Sequence, residues 1–321
     1  MEIVLACDLG GTNLRMAAVD REGTVRYRLK VETPKAERAE EIVHVMVKAA
    51  NECRREAEKF GQVKAIAAAC PATVNVDKGM ILKAPNVPSL DGFRFSSVLA
   101  GELNIPCFLE NDANAAAIGE HAFGAARGYD SAVMVTLGTG VGGGVIIDGK
   151  ILRGPDGTAG EIGHICVEPF GAPCGCGSRG CLEQYSSATA VLRMTRELES
   201  QYPKSVLLNR SRFTSADVYE AGKSGDDLAL EVFRRMGFYL GIGLSGLINV
   251  LNPEVIVIGG GASAGWDLFM PHTTEQIHTR AWREPAERAR LVRAQLGDDA
   301  GILGAAQIAF EKINHQEAAV S

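Results

Sequence analysis

Hydrophobic and polar positions alternate along the chain in blocks that predict strands and helices in turn. Three short β-prone runs, separated by glycine-containing turns, predict an antiparallel meander: 3–8, 14–20 and 24–31. Apolar residues then recur at spacings of three and four from Ile42 to Phe60, which predicts an amphipathic helix ending at Gly61. The apolar run 63–70 predicts a buried strand, so this region is expected to form a mixed sheet flanked by helices.

The same alternation returns later in the chain. The pattern predicts strands at 131–137, 144–147, 151–152 and 255–258, a long helix over about 226–251 that Asn252-Pro253 ends, and a closing helix over about 301–312. Four glycines inside the long helix each cost roughly 1 kcal/mol of helix propensity relative to Ala, so we expect close packing against another element. With 321 residues, two domains are expected, with a boundary near 115–125.

Composition limits the classes of function. Hydrophobic residues make up 46% and charged residues 22%, which is typical of a soluble globular protein rather than a disordered or membrane-spanning one. A net charge of −6 argues against a nucleic-acid surface. The first fifteen residues lack a basic segment and a long apolar run, so we expect a cytoplasmic protein with reduced thiols, no membrane contact and a small-molecule partner.

Glycine is in excess, with 37 residues, and marks three loops at strand ends. In the first, Gly10 and Gly11 precede Thr12 and Asn13; backbone N–H groups there suit an anion, and Asp8 suits a cation held through water. A plain hairpin turn explains the same residues. The third loop, 259–263, leaves room for a flat group such as adenine, although a packing turn at a helix start is as common.

The second loop, 138–144, contains the spacing G-x-G-x-x-G, with Glu161 about twenty residues further on. A dinucleotide fingerprint requires a helix directly after the loop, whereas the residues after Gly144 read as a strand and a turn. A nucleotide-dependent oxidoreductase is therefore disfavoured. Two similar hairpin loops plus a third glycine loop are typical of a duplicated fold that binds a nucleotide.

Three of the eight cysteines stand in a context that suggests metal, and Cys166, in a strand-like run nearby, is not counted with them. Cys174, Cys176 and Cys181 lie in a glycine-rich loop, and His164 precedes them by ten residues. Three thiolates and one imidazole complete a closed tetrahedral zinc site, which is structural rather than catalytic. A redox pair of Cys174 and Cys176 is the alternative. Cys7, Cys53, Cys70 and Cys107 lie in apolar runs and are interpreted as core residues.

A polar group, Glu110-Asn111-Asp112, follows an apolar run and opens a helix of small residues. Asn111 or Asp112 there is explained equally by a helix N-cap. Glu161, His164 and Glu183 stand in glycine-rich turns or beside the cysteine loop, and carboxylate, amide and imidazole groups together suit hydrogen bonding to a polyol. The sequence therefore predicts a sugar pocket with the zinc loop as one wall.

The segments DLGGTN, ENDANAAA, LGTGVGGG, GEIGH and CGCGSRGCLE, in this order, resemble the ROK family of bacterial sugar kinases, and within it the glucokinases, over about residues 3–312. The resemblance implies a duplicated α/β fold of the actin/hexokinase (ribonuclease H-like) type, with two α/β domains and an interdomain cleft. It places the first domain at 1–118, with the last helix, about 301–314, packing back on it, and the second domain at 119–300 with the zinc loop.

The resemblance also implies phosphorylation of a hexose at its 6-hydroxyl with ATP and Mg²⁺. Asp112 looks like the base that accepts the hydroxyl proton. The implied sugar-binding residues are Ala72, Asn86, Asn111, Asp112, Glu161, His164 and Glu183; the implied nucleotide-binding residues are Gly10, Gly11, Thr12, Asn13, Gly138, Thr139, Gly140, Gly260 and Gly261. Asp8 would hold Mg²⁺ through water, and His164 would serve zinc with one ring nitrogen and the sugar with the other.

One departure concerns substrate choice. Family members commonly have a Pro-Gly turn beside the sugar, where this chain has Pro71-Ala72. Glucose is the expected substrate, with N-acetylglucosamine, N-acetylmannosamine, fructose and allose as alternatives and polyphosphate as another donor. A non-catalytic sugar sensor is the alternative of another class; family repressors carry an N-terminal helix-turn-helix, whereas strand one here starts at residue 3. A homodimer or homotetramer is expected.

Overall fold

The protein, described by a computed structural model over residues 1–210 and 212–320, forms two compact units. The first comprises 1–128, 144–160 and the chain from Gln295 onward, and the second comprises 129–143 and 161–294. Within the described ranges, no helix is long and apolar enough to cross a bilayer.

The elements follow the alternation that the sequence predicts. The strands are β1 (Glu2–Leu9), β2 (Asn13–Asp20), β3 (Val25–Glu32), β4 (Gln62–Cys70), β5 (Thr73–Asn75), β6 (Met80–Lys83), β7 (Cys107–Asn111), β8 (Ala132–Leu137), β9 (Val141–Ile147), β10 (Lys150–Ile151), β11 (Val255–Gly259) and β12 (Arg290–Arg293). The α-helices are α1 (Ala39–Ala57), α2 (Phe95–Leu103), α3 (Asp112–Phe123), α4 (Glu183–Ser186), α5 (Ala188–Leu198), α6 (Ser215–Lys223), α7 (Asp227–Leu251), α8 (Trp266–Arg280), α9 (Arg283–Arg288) and α10 (Ala300–Val320).

The two main sheets repeat one topology. The first has the strand order β3-β2-β1-β4-β7, and the second has the order β10-β9-β8-β11-β12. Numbered within its own sheet, each is therefore 3-2-1-4-5. In the first, β1 pairs antiparallel with β2 and parallel with β4, and β4 pairs parallel with β7. In the second, β8, β11 and β12 are parallel. This repeat is the duplication that the glycine loops predict.

The first sheet is buried on both faces because its central strands carry apolar residues at successive positions. On β1, Ile3 and Leu5 belong to the core cluster that α1 and α2 cover. The intervening Val4 and Ala6 belong to the other cluster, which residues of α3 and α10 complete. The edge strand β3 alternates half-buried and exposed residues instead. Helix α10 thus lies on the sheet of the first unit.

The division between the units differs from the predicted one. The predicted boundary after residue 118 falls inside α3, which continues to Phe123, and the first unit extends to Gly128. Residues 144–160 also belong to the first unit. The physical reason is close packing on α3, since a Cβ at Gly144 would lie 2.5 Å from the Cβ of Ala117.

Two glycine predictions are corrected or explained by the structure. Gly142, Gly143 and Gly144 lie in strand β9, so the second loop is limited to the turn 138–140. Since a strand and not a helix follows that turn, the structural requirement of a dinucleotide fingerprint is not met. In α7, a Cβ at Gly241 would lie 2.7 Å from the backbone oxygen of Thr273 on α8, which accounts for a glycine inside that helix.

Helices α3 and α10 approach each other at glycines. A Cβ at Gly119 would collide with the backbone oxygen of Ala300, and a Cβ at Gly304 would collide with that of Ala115. We predict that Gly304→Ala lowers the free energy of unfolding by about 1–3 kcal/mol, because the helices must separate. Urea unfolding followed by far-UV circular dichroism measures the change.

The matched control is Gly101→Ala on α2, where nothing lies within 4 Å of the added Cβ. This change is expected to raise the free energy of unfolding by about 0.5–1 kcal/mol, since Ala restricts the unfolded chain. Equal effects of the two substitutions would contradict close helix packing as the reason for Gly304.

Candidate active site

The first glycine loop is the turn between β1 and β2. The N–H of Gly10 donates to the Asn13 carbonyl at 2.9 Å, and the Thr33 hydroxyl donates to the Gly10 carbonyl at 2.7 Å. Gly11 and Thr12 are exposed. Asn86, a predicted sugar ligand, lies beside the turn, since a Cβ at Gly11 would be 3.5 Å from its Cβ. Hydrogen bonds to Gly10 thus fix the base of the turn, while its tip at Gly11 and Thr12 stays accessible to solvent.

Asp8, at the carboxyl end of β1, forms an ion pair with Arg15. Burial raises the pKa of Asp8, and the Arg15 guanidinium acts in the opposite direction. On its other side, Arg15 approaches the exposed carboxylate of Asp298 at 3.7 Å. Arg15 was missed by the sequence reasoning, although the hairpin gives a signal: Asp8 and Arg15 are directly paired across β1 and β2. The predicted cation-binding carboxylate therefore already has a cationic neighbour.

The polar group 110–112 stands where β7 passes into α3. Asn111 is the N-cap of α3: its Oδ1 accepts from the N–H groups of Ala113 at 2.9 Å and Asn114 at 3.0 Å. Its Nδ2 donates to the Ala72 carbonyl at 3.2 Å. Asp112 is the first residue of α3, and its Oδ1 accepts from the Ala113 N–H at 2.8 Å. The capping interpretation of Asn111 is thus correct, and the same side chain also binds the backbone at Ala72.

In the second unit, residues at the starts of α4 and α5 form hydrogen bonds at the turn 138–140. The Gly138 N–H donates to the Gly140 carbonyl at 2.9 Å, and the Gly138 carbonyl accepts from Ala188 at the start of α5 at 2.8 Å. The Thr139 carbonyl accepts from the Thr189 hydroxyl at 2.8 Å. The carboxylate of Glu183 occupies the space where a Cβ of Gly140 would stand, and it accepts the next N–H, that of Val141, at 3.1 Å.

The third glycine loop lies at the same edge of the second sheet. Strands β8 and β11 are parallel neighbours, so their carboxyl ends meet there. Gly260 has φ +84°, and its Cβ position is 2.5 Å from the Leu137 carbonyl oxygen. Any larger residue would displace the end of β8. The structure therefore brings the turn 138–140 and the Gly260-Gly261 turn together, as a two-part nucleotide site requires.

The predicted metal ligands form one cluster in the second unit. Ligand atoms of His164, Cys174, Cys176 and Cys181 all lie within 4.8 Å of one another. Cys176 Sγ is 3.7 Å from Cys181 Sγ, and Cys174 Sγ is 3.7 Å from His164 Nδ1. Tetrahedral zinc with bonds of about 2.0–2.3 Å separates its ligand atoms by about 3.5–3.8 Å, so these donors fit that ion.

The other ring nitrogen of His164 faces away from the sulfurs. Its Nε2 lies 3.9 Å from Glu161 Oε2, so the imidazole stands between the cysteine cluster and a predicted sugar ligand. Glu183 connects the cysteine cluster to the turn 138–140. Its Oε1 lies 4.0 Å from Cys174 Sγ, and its Oε2 accepts the Val141 N–H. All the described cysteines are free, so Cys174 and Cys176, the alternative redox pair, form no disulfide in this structure.

Comparison with known proteins shows which proteins the chain resembles. The profile of the ROK family matches residues 4–312. A glucokinase of Thermotoga maritima is 33% identical over 314 residues, covering 97% of this chain and 98% of that one. A ROK family glucokinase from Streptomyces griseus, crystallised with glucose and AMPPNP, is 33% identical with a TM-score of 0.81, covering 96% and 99% of the two chains. A ROK family transcriptional regulator, a homologue of the E. coli MLC protein, is 27% identical with a TM-score of 0.89, covering 96% of this chain and 78% of that one.

We predict that Asp8→Asn changes how stability depends on pH. Because the folded state raises the pKa of Asp8, protonated Asp8 favours folding at low pH, and this contribution is lost as the pH rises through the raised pKa. The free energy of unfolding of Asp8→Asn should therefore rise relative to that of the unsubstituted protein as the pH increases from about 4, near the ordinary pKa of an aspartate, through the raised pKa. Urea unfolding at several pH values measures this difference; a constant difference, or one of opposite sign, would contradict the burial of Asp8 as the dominant effect.

Proposed function

The chain belongs to the ROK family, and on that premise we propose that it is an ATP-dependent sugar kinase that converts glucose to glucose 6-phosphate. The observation that carries the proposal is the corner between β7 and α3, where Asp112 begins the helix with Asn111 as its cap. A carboxylate fixed at a helix start, at the carboxyl end of parallel strands, is suitably placed to act as a base. The likeness to a glucokinase crystallised with glucose and AMPPNP supports the sugar and the donor.

In the proposed reaction the 6-hydroxyl oxygen of the sugar attacks the γ-phosphorus of ATP. The bond between that phosphorus and the β–γ bridging oxygen breaks, ADP leaves, and the hydroxyl proton passes to the carboxylate of Asp112. In the first unit, Asn86, Asn111 and the backbone at Ala72 would orient the sugar. The turn at Gly10, Gly11, Thr12 and Asn13 would donate N–H and side-chain hydrogen bonds to phosphate oxygens.

Mg²⁺, when bound, neutralises phosphate charge in such reactions. Asp8 is the carboxylate that would hold it through water, and its ion pair with Arg15 supplies a second positive charge beside the turn. In the second unit, Glu161, His164 and Glu183 would accept or donate hydrogen bonds at sugar hydroxyls. Gly138, Thr139 and Gly140 would contact phosphate, and Gly260 and Gly261 would contact the adenosine.

The cysteine cluster is proposed as a structural zinc site. Its donor set is complete with four ligands, which leaves no position for a substrate or a catalytic water. Zinc on Nδ1 of His164 would fix the ring so that Nε2 is directed toward Glu161. The metal would then set the orientation of a sugar-binding residue without taking part in phosphoryl transfer.

A sugar sensor without catalysis is the second candidate. The observation in its favour is the TM-score of 0.89 to a ROK family transcriptional regulator. A sensor requires sugar binding alone, whereas the glycine turns at 138–140 and 260–261 and the carboxylates of Asp8 and Asp112 are groups that phosphoryl transfer uses. An assay of ADP release that depends on added glucose separates the two functions.

We predict that Asp112→Asn lowers kcat for glucose-dependent ADP release by about 10² to 10⁴, while glucose binding changes little, because the amide cannot accept the proton. A coupled ADP assay gives kcat, and calorimetry gives the dissociation constant of glucose. The exposed Asp156→Asn variant is the control and should keep the kcat of the unsubstituted protein. Turnover by Asp112→Asn near that of the unsubstituted protein would refute the role of Asp112.

We predict about one zinc per chain in protein purified without chelators, measured by elemental analysis. Cys176→Ser should bind less zinc and unfold at a lower temperature, since a structural ion contributes to folding. The control is Cys166→Ser, because Cys166 is exposed, lies outside the four-residue cluster and pairs with Cys181 through a backbone bridge. Fully folded protein without metal, or full zinc content in Cys176→Ser, would overturn the assignment.

A further inference from the structure

Glu110 is a buried carboxylate at the carboxyl end of β7, with 1% of its surface exposed. Its Oε1 accepts from the Asn111 N–H at 3.0 Å and from Asn114 Nδ2 at 3.1 Å. Its Oε2 accepts from Arg153 Nε at 2.8 Å and lies 2.7 Å from Arg153 Nη2. Four donors from three residues thus converge on one carboxylate, which uses most of its acceptor capacity.

The donors connect separate parts of the first unit. Arg153 follows the β9–β10 hairpin, where the Leu152 N–H donates to the Val145 carbonyl at 2.7 Å. The carbonyl of Arg153 accepts from the Ala159 N–H at 3.1 Å, and this hydrogen bond closes the loop 153–159. The guanidinium therefore comes from a segment held on both sides, and it fixes one oxygen of Glu110 while the other oxygen binds the start of α3.

Asn114 shows that the carboxylate dictates the local geometry. Its side chain is buried, and its Nδ2 donates to Glu110 while its Oδ1 lacks a hydrogen-bond partner among the described residues. An unpaired buried amide oxygen destabilises the folded state. The amide keeps this orientation because the opposite one would place its oxygen against the Glu110 carboxylate, where the two would repel each other.

We propose that Glu110 and Arg153 are positioning residues for Asp112. Glu110 holds the backbone of Asn111 on one side of Asp112 and the side chain of Asn114 on the other, and Arg153 holds Glu110. The inference rests on the proposed function, in which Asp112 is the base. Displacement of a reacting group by about 1 Å lowers turnover by as much as about 10²-fold, so the pair acts on kcat without touching the sugar or ATP.

The first unit contains a matched pair away from this corner. Asp20 is fully buried, accepts from the N–H groups of Glu22 and Thr24, and lies 2.6 Å from Arg26 Nη2. The side chain of Arg26 is 34% exposed and that of Arg153 is 31% exposed. Loss of either arginine therefore removes the same kind of ion pair, but Arg26 serves the turn between β2 and β3.

The test compares Arg153→Lys with Arg26→Lys. Lysine keeps the charge but cannot present two N–H groups in a fixed geometry. Both variants are expected to lose similar stability to urea. Only Arg153→Lys is expected to lose kcat for glucose-dependent ADP release, by about 10- to 100-fold, with the KM for ATP unchanged within about 2-fold.

A double-mutant cycle with Asp112→Asn distinguishes positioning of Asp112 from a general structural role, because it measures whether the kcat losses of the two substitutions are coupled. If Arg153 acts through Asp112, Arg153→Lys should cost nothing further in the Asp112→Asn background. Should Arg153→Lys fail to fold, Glu110→Gln/Arg153→Met replaces both charges together and is expected to fold and to show the same kcat loss.

Two outcomes would overturn the inference. Equal kcat for Arg153→Lys and Arg26→Lys would show that the corner tolerates loss of the guanidinium geometry. A full further loss in the Asp112→Asn background would show that Arg153 acts independently of Asp112. If instead Asp112→Asn alone kept the turnover of the unsubstituted protein, the proposed function would fail first, so the two failures are distinguishable.

Discussion

The geometry of the candidate site in the first unit depends on the hydrogen bonds that the buried carboxylate of Glu110 accepts. A buried charge is tolerated only when donors surround it, and here the donors are the backbone and side chains that flank Asp112 and the guanidinium of Arg153. The hydrogen bonds to this one carboxylate therefore connect the end of β7, the first turn of α3 and the segment 144–160 within the first unit.

A second constraint, close approach of backbone, explains the glycines. Gly119 and Gly304 allow α3 and α10 to cross, Gly140 makes room for the Glu183 carboxylate, and Gly260 stands against the end of β8. At Gly119, Gly304 and Gly260 a Cβ would meet backbone atoms, which cannot move without shifting an element, whereas at Gly140 it would meet the side chain of Glu183. The glycine excess is thus a packing requirement at helix crossings as much as a property of loops.

The sequence predicted strands β1–β4 and β8–β11 and helices α1, α3, α7 and α10, because their signals are local: alternating and continuous apolar runs, the helical spacing before Gly61 and the Asn252-Pro253 stop. It did not predict helices α2, α5, α6 and α8 or strand β12. It also predicted that His164 and three cysteines lie together, since the cysteines are close in the chain; the metal itself stays a prediction. It missed Arg153, because that residue contacts Glu110 across 43 positions. The predicted domain boundary after residue 118 differs from the observed division for the same reason, since the packing of β9 on α3 has no signal in the local sequence. The predicted sugar and nucleotide contacts stay predictions.

The central claim is that Asp112 and the glycine turns serve phosphoryl transfer to a sugar hydroxyl. Nuclear magnetic resonance of the products, with protons correlated to ³¹P, tests it most directly after incubation with glucose, ATP and Mg²⁺. We expect ADP together with one new phosphomonoester whose phosphorus couples to the protons on carbon 6 of glucose. Glucose that binds while ATP stays intact, or a phosphoryl group on another position of the sugar, would contradict it.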